Sequence, residues 1–168
     1  MIKDILILTI FPGAMALAAA SDFFTMTIPN RLVLALASGF FVVAPLAGFG
    51  WSDIELHMAL ALAALAFAFV LFSFGWIGGG DAKLLTATCL WFGSETIPAY
   101  AIYVALFGGA LTLLLLFWRG MRLPSMLHSQ DWLVRLHSPN EGVPYGIALA
   151  AAGLLVYRET PFVAALGG

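Results

Sequence analysis

Charge is what this chain has least of. Only 10% of its 168 residues are Asp, Glu, Lys or Arg, against 62% that are apolar, and the mean hydropathy is +1.02. Soluble domains carry about 25% charged residues, so a water-soluble globule is excluded and an all-α membrane bundle, nearly all of it in the lipid bilayer, is expected. Nor is there an excess of basic residues. The net charge of −2 and the pI of about 5.8 leave no cationic surface, which excludes nucleic acid as a partner. Cysteine is almost missing: Cys89 stands alone, so an internal disulfide and a cysteine-built zinc site are both excluded. Its place in the apolar run 84–92 marks it as a small packing residue. The histidines His57, His128 and His137 are dispersed without ligand spacing, so none is assigned to a metal, and no cofactor is expected. Tandem repeats, low-complexity tracts and interdomain linkers are absent as well. Residues 1–168 therefore read as one membrane-embedded domain.

What the chain does have is long apolar runs. With about 20 apolar residues needed per span, the candidates are 5–21, 32–50, 56–76, 82–92, 97–118 and 143–157, about six in all. The fourth run would reach only roughly 17 Å as a helix, short of a hydrocarbon core of about 30 Å. The bilayer must thin there, or the ends of the run must open onto water. Six spans with the amino terminus outside put Arg31, Lys83, Arg119, Arg122 and Arg135 on the cytoplasmic side and only Lys3 and Arg158 outside, as the positive-inside rule requires. Lys3, the run 5–20 and Ala18-Ala19-Ala20 have features of a secretory signal peptide. Asp4 offsets Lys3, however, and Pro12-Gly13 interrupts the run, so the first span is expected to be retained.

Two acids stand at the ends of apolar runs, where a carboxylate is costly and needs a reason. Asp22 follows the first run, and Asp81 opens the fourth. Each has a plain explanation: Asp81 as the N-cap of a helix, and Asp22 as a solvated residue in the headgroup layer. The topology puts both on the cytoplasmic face, which makes a functional pair the better reading. Gly78-Gly79-Gly80 precedes Asp81. Without Cβ atoms such a loop lets another chain approach closely, although the glycines alone are equally a simple turn.

Three motifs then coincide. Gly78-x-Gly80-Asp81 is followed by Lys83-Leu84-Leu85, Asp22 is followed by Ile28-Pro29-Asn30-Arg31, and Val143-Pro144-Tyr145-Gly146-Ile147-Ala148 opens the last run. Together, in this order and across most of the chain, they resemble the type IV prepilin peptidases, most closely the small branch that serves tight-adherence (Flp-type) pili. The resemblance implies an aspartic endopeptidase of the bacterial cytoplasmic membrane that removes the basic leader of a prepilin, with Asp22 and Asp81 as the catalytic pair. Larger members of that family also N-methylate the new amino terminus and often carry a cytoplasmic segment with paired cysteines. Neither the segment nor the cysteines occur here, so cleavage alone is expected.

The chemistry is consistent with two carboxylates. Peptide hydrolysis needs a base to activate water and an acid to protonate the carbonyl oxygen and then the leaving amine. Two close carboxyls sharing one proton supply both. Asp81, at a helix start and two residues before Lys83, is the expected base, and Asp22 the expected acid.

The other motif residues read as support. Pro29 stops a preceding helix, Asn30 caps the next and Arg31 anchors it. Tyr145 reads as an interfacial aromatic rather than a catalytic group, with a hydroxyl that could hydrogen-bond the pair. The polar loop 119–141 contains Met126, Leu127, Trp132, Leu133, Val134 and Leu136, which suggests a short surface helix. Asp131 and Glu141 in the same loop are candidates to meet a basic leader, although a solvated loop is the plainer reading. Two competing functions remain. One is a small transporter or channel component using Asp22 and Asp81 as an ion or proton relay. The other is a presenilin-like protease, whose later Pro-Ala-Leu motif Pro98-Ala99-Tyr100 does not match.

Overall fold

The structure, a computed structural model, describes residues 1–124, 126 and 129–166, and among these every regular element is helical. The order is α1 (Ile2–Thr25), α2 (Asn30–Leu46), α3 (Trp51–Ser73), α4 (Gly79–Trp91), α5 (Ile97–Arg119), α6 (Asp131–His137), α7 (Tyr145–Tyr157) and α8 (Pro161–Ala164). Every apolar run of the sequence is a helix. By length and composition α1, α3, α5 and the stretch Tyr145–Ala164 suffice to cross a membrane, while α2, with 17 residues, is shorter. Helix α4 has 13 residues, about 20 Å by the helical rise, the same length as α7, which α8 extends. Leu127 and His128 lie outside the described residues. The loop helix suggested by Trp132 to Leu136 is α6.

Local chemistry moves three boundaries. Helix α1 runs four residues past the expected end at Ser21, so Asp22 sits inside its last turns rather than beyond them. Its stop is Met26, in the left-handed conformation at φ 54°, a position that glycine usually takes. Side chains hold that turn. Ser21 Oγ donates to Thr27 O at 2.8 Å, and Thr25 Oγ1 pairs with Thr27 Oγ1 at 2.7 Å. At α2 the N-cap is Pro29, with extended backbone, and Asn30 is the first helical residue rather than the cap. At α4 the N-cap is Gly78, which moves Asp81 from the expected cap to the third helical position.

Packing centres on α1, α4 and α7. Helix α1 lies against α2 and α7, α4 against α2, α3 and α7, and α5 against α7. Because lipid tails are as apolar as these side chains, such helices associate through close packing and interhelical hydrogen bonds rather than by leaving water. The densest packing is at the end of the bundle away from the aspartates. There Phe11 stacks on Tyr157 and tilts against Trp91 and Phe92, and Phe162 packs on Phe49 and Trp91. Polar edges of this cluster close on backbone carbonyls of other helices. Trp91 Nε1 donates to Leu36 O at 3.0 Å, Tyr157 Oη donates to Ile7 O at 2.9 Å, and His57 Nδ1 lies 2.9 Å from Leu90 O.

Candidate active site

The opposite end of the bundle is built around glycine. Asp22 is 5% exposed, and its Oδ2 accepts the backbone N–H of Gly146 at 2.7 Å. Gly146 is the second residue of α7, so this donor is one of the amides that a helix leaves unpaired at its start. Asp22 thus caps a helix distant in sequence. A side chain at Gly146 has no room: a Cβ there would lie 2.8 Å from Asp22 Oδ2 and 2.9 Å from Ile28 Cδ1.

Asp81 occupies the first turn of α4, and its carboxylate reaches back to the N–H of Gly78 at 3.3 Å. A Cβ on Gly78 would stand 2.9 Å from that carboxylate oxygen. The Asp81 carboxyl also lies within electrostatic reach of Asp22 and of the same Gly146 amide. Two carboxyls from separate helices, α1 and α4, therefore stand within electrostatic reach of each other at the start of a third, with Asp22 holding its first free amide. Partial positive charge at the starts of α4 and α7 is directed at the same point.

Ile28 joins these parts, and the sequence offered no cue to its role beyond its place beside Pro29. It is buried, its backbone N and Cβ lie against Gly80, and its Cδ1 lies against Gly146. Two of the three motif glycines thus admit one isoleucine. The turn 25–29, held by Ser21 and Thr25, delivers it.

Other expected residues sit elsewhere. Lys83 Nζ donates to Asn30 Oδ1 at 2.7 Å, which ties the start of α4 to the start of α2 and directs the ammonium to Asn30. Tyr145 does not bond the carboxyls; its hydroxyl pairs with Thr112 Oγ1 at 3.1 Å, and its ring lies on Gly108. Pro29 and Pro144 are the N-caps of α2 and α7.

Asp81 lines a cavity of about 720 Å³ between α3, α4, α5 and α7. Leu60, Ala64, Phe67 and Leu71 form one wall and Ala101, Val104, Ala105 and Gly108 the other. Each set recurs at the three- and four-residue spacing of one helix face. Asp81, Leu85 and Cys89 line the floor between them. The α3 wall rises along its helix for roughly 17 Å. Ala63, Phe67, Ala101, Ala105 and Gly109 are exposed in mid-helix, so the cavity is a groove open on the flank of the bundle. Among the described residues, Asp81 is the only charged one along it.

A sequence model of the type IV leader peptidase family matches residues 9–113, more than half of the chain. Two curated relatives, each named prepilin leader peptidase/N-methyltransferase, come from Burkholderia pseudomallei strains 1026b and K96243. Each is 36% identical over 93 residues, which is 55% of this chain and 25% of the relative. The matched stretch thus spans a quarter of those relatives. No solved structure matches the chain.

Proposed function

The chain belongs to the type IV leader peptidase family, and from that premise we propose that residues 1–168 form one membrane-embedded aspartic endopeptidase with Asp22 and Asp81 as its catalytic pair. Its substrate is a prepilin of the Flp type, an apolar helix carrying a basic leader, and the product is the mature pilin without methyl transfer. The observation that carries this reading is the approach of the Asp81 carboxyl, at an apolar groove, to the Asp22 carboxyl that is bonded to the Gly146 amide.

The groove takes the first turns of the substrate's apolar helix, side by side with α3 and α5. The leader then projects past Asp81 toward the cytoplasm, where five of the seven basic residues of the chain fall in a six-span topology with the amino terminus outside. In this reading the enzyme sits in the bacterial inner membrane, with the scissile bond at the depth of the pair. The half-length α4 supports access of water to that depth.

Asp81, on the groove floor, takes a proton from water, whose oxygen adds to the scissile carbonyl carbon. Asp22, buried behind it, gives its proton to the carbonyl oxygen. The tetrahedral diol collapses as the C–N bond breaks, the amine receives the proton held by Asp81, and a hydroxyl proton returns to Asp22. Gly146 N–H, bonded to Asp22 Oδ2, keeps that carboxyl oriented through the cycle.

The test is to incubate the full chain with a purified prepilin and follow leader and product by mass, comparing wild type with Asp22→Ala and Asp81→Ala. Cleavage is expected only from wild type, with an unmethylated product. Full-rate cleavage by either variant overturns the pair, and a wild type that cleaves nothing favours the ion-relay reading.

A further inference from the structure

The amide that Asp22 accepts is delivered by a segment with its own fastening. Arg119, the last residue of α5, places its guanidinium on three backbone carbonyls: Nε to Leu136 O at 2.9 Å, one terminal nitrogen to Glu141 O at 3.0 Å and the other to Gly142 O at 2.8 Å. All three guanidinium nitrogens are thus engaged by main chain. An arginine serving only as an interfacial anchor would direct those donors to water or phosphate.

The path from these carbonyls to the pair is short and stiff. Gly142 is four residues from Gly146. Between them, Tyr145 N–H donates to Val143 O at 2.8 Å across Pro144, whose φ of −72° and ψ of 80° make a tight three-residue turn. The proline ring holds φ. A displacement of the Gly142 carbonyl is therefore passed along to the Gly146 amide rather than absorbed. Helix α6, which carries Leu136, is braced in turn against α1, the helix that bears Asp22. Arg135 donates to Phe24 O at 3.0 Å, and Trp132 packs on Phe23 and Phe24, the two residues after Asp22.

We propose that Arg119 is a positioning residue: by clasping the carbonyls of Leu136, Glu141 and Gly142 it holds Gly146 N–H on Asp22. This rests on the catalytic reading of Asp22 and Asp81. The fork of the guanidinium is essential, because three carbonyls in different directions need donors fixed in a plane, which a lysine ammonium does not provide.

The experiment measures prepilin cleavage by the full chain in detergent for Arg119→Lys, Pro144→Ala, Gly146→Ala and the Arg119→Lys/Gly146→Ala double variant, with Asp22→Ala as the dead control. A misplacement of about 1 Å lowers turnover by up to about 100-fold, so kcat in Arg119→Lys is expected to fall at least about tenfold, with KM unchanged. Pro144→Ala, which keeps every Arg119 contact, is expected to lower kcat in the same way. The double variant is expected to be no slower than Gly146→Ala alone, because the two changes remove one and the same constraint. Wild-type kcat in Arg119→Lys, a loss confined to KM, an unaffected Pro144→Ala or multiplying effects in the double variant each overturn the role of Arg119. If those results accompany an inactive Asp22→Ala, the catalytic pair stands without it. Full cleavage by Asp22→Ala overturns the pair, and the role of Arg119 with it.

Discussion

The two ends of the bundle are built from opposite materials. One end is aromatic: Phe11, Phe40, Trp91, Phe92, Tyr157 and Phe162 fill it, and its few polar atoms close on backbone carbonyls. The other is nearly free of Cβ atoms where it matters, with Gly78, Gly80 and Gly146 leaving room for Asp81, Ile28 and Asp22. Rings supply contact area and rigidity; glycines supply close approach of backbone to a functional group. The difference teaches that dense packing and the paired carboxyls are lodged at different depths of the same helices. Helix α7 shows both, since Gly146 faces a carboxyl and Gly153, two turns on, faces Phe11 and Met15.

The sharpest break in this contrast is expected from Asp22→Asn or Asp81→Asn. Each should slow prepilin cleavage at least about 1000-fold, about 4 kcal/mol of barrier, while the thermal midpoint in detergent stays within a few degrees of wild type. Trp91→Ala should do the reverse. It opens a cavity costing about 3–5 kcal/mol, read as a lower denaturation midpoint, and the fraction that remains folded should turn over at the wild-type rate. The matched pair on α7 is subtler. Gly146→Ala should cut kcat by up to about 100-fold, whereas Gly153→Ala, whose Cβ would meet Met15 Sδ at 3.3 Å and Phe11 Cζ at 3.5 Å, should leave kcat unchanged and stability within about 1 kcal/mol. The smallest effect is that of Tyr157→Phe, which removes the bond to Ile7 O and should lower stability by about 1 kcal/mol without altering cleavage.

Much of the scaffold was legible because apolar length is a local signal: each of the six runs is a helix, and the short fourth run is a helix of only 13 residues. The ends were less so. Met26 in a left-handed turn gives no cue from its residue type, so the last turn of α1 and the burial of Asp22 within it were missed. Asn30 looked like a cap because its chemistry suits one, yet the preceding proline takes that place and frees the amide side chain for Lys83. The aspartates stood out as charges in apolar surroundings. What could not be read was what each glycine faces, because Gly146 and Asp22 are 124 residues apart and no spacing rule links them. Arg119 was visible only as one positive charge on the expected inner side, and its three carbonyl partners lie 17 to 23 residues on.

The groove that Asp81 overlooks opens sideways between α3 and α5 rather than at the tip of the bundle. Under the proposed function, a guest helix enters it by sliding within the membrane, without surfacing. Encounter is then a search in two dimensions, governed by lateral diffusion and by how many guests share each patch of bilayer. In micelles, added detergent should slow turnover by surface dilution alone, even when the amounts of both proteins per litre are held constant.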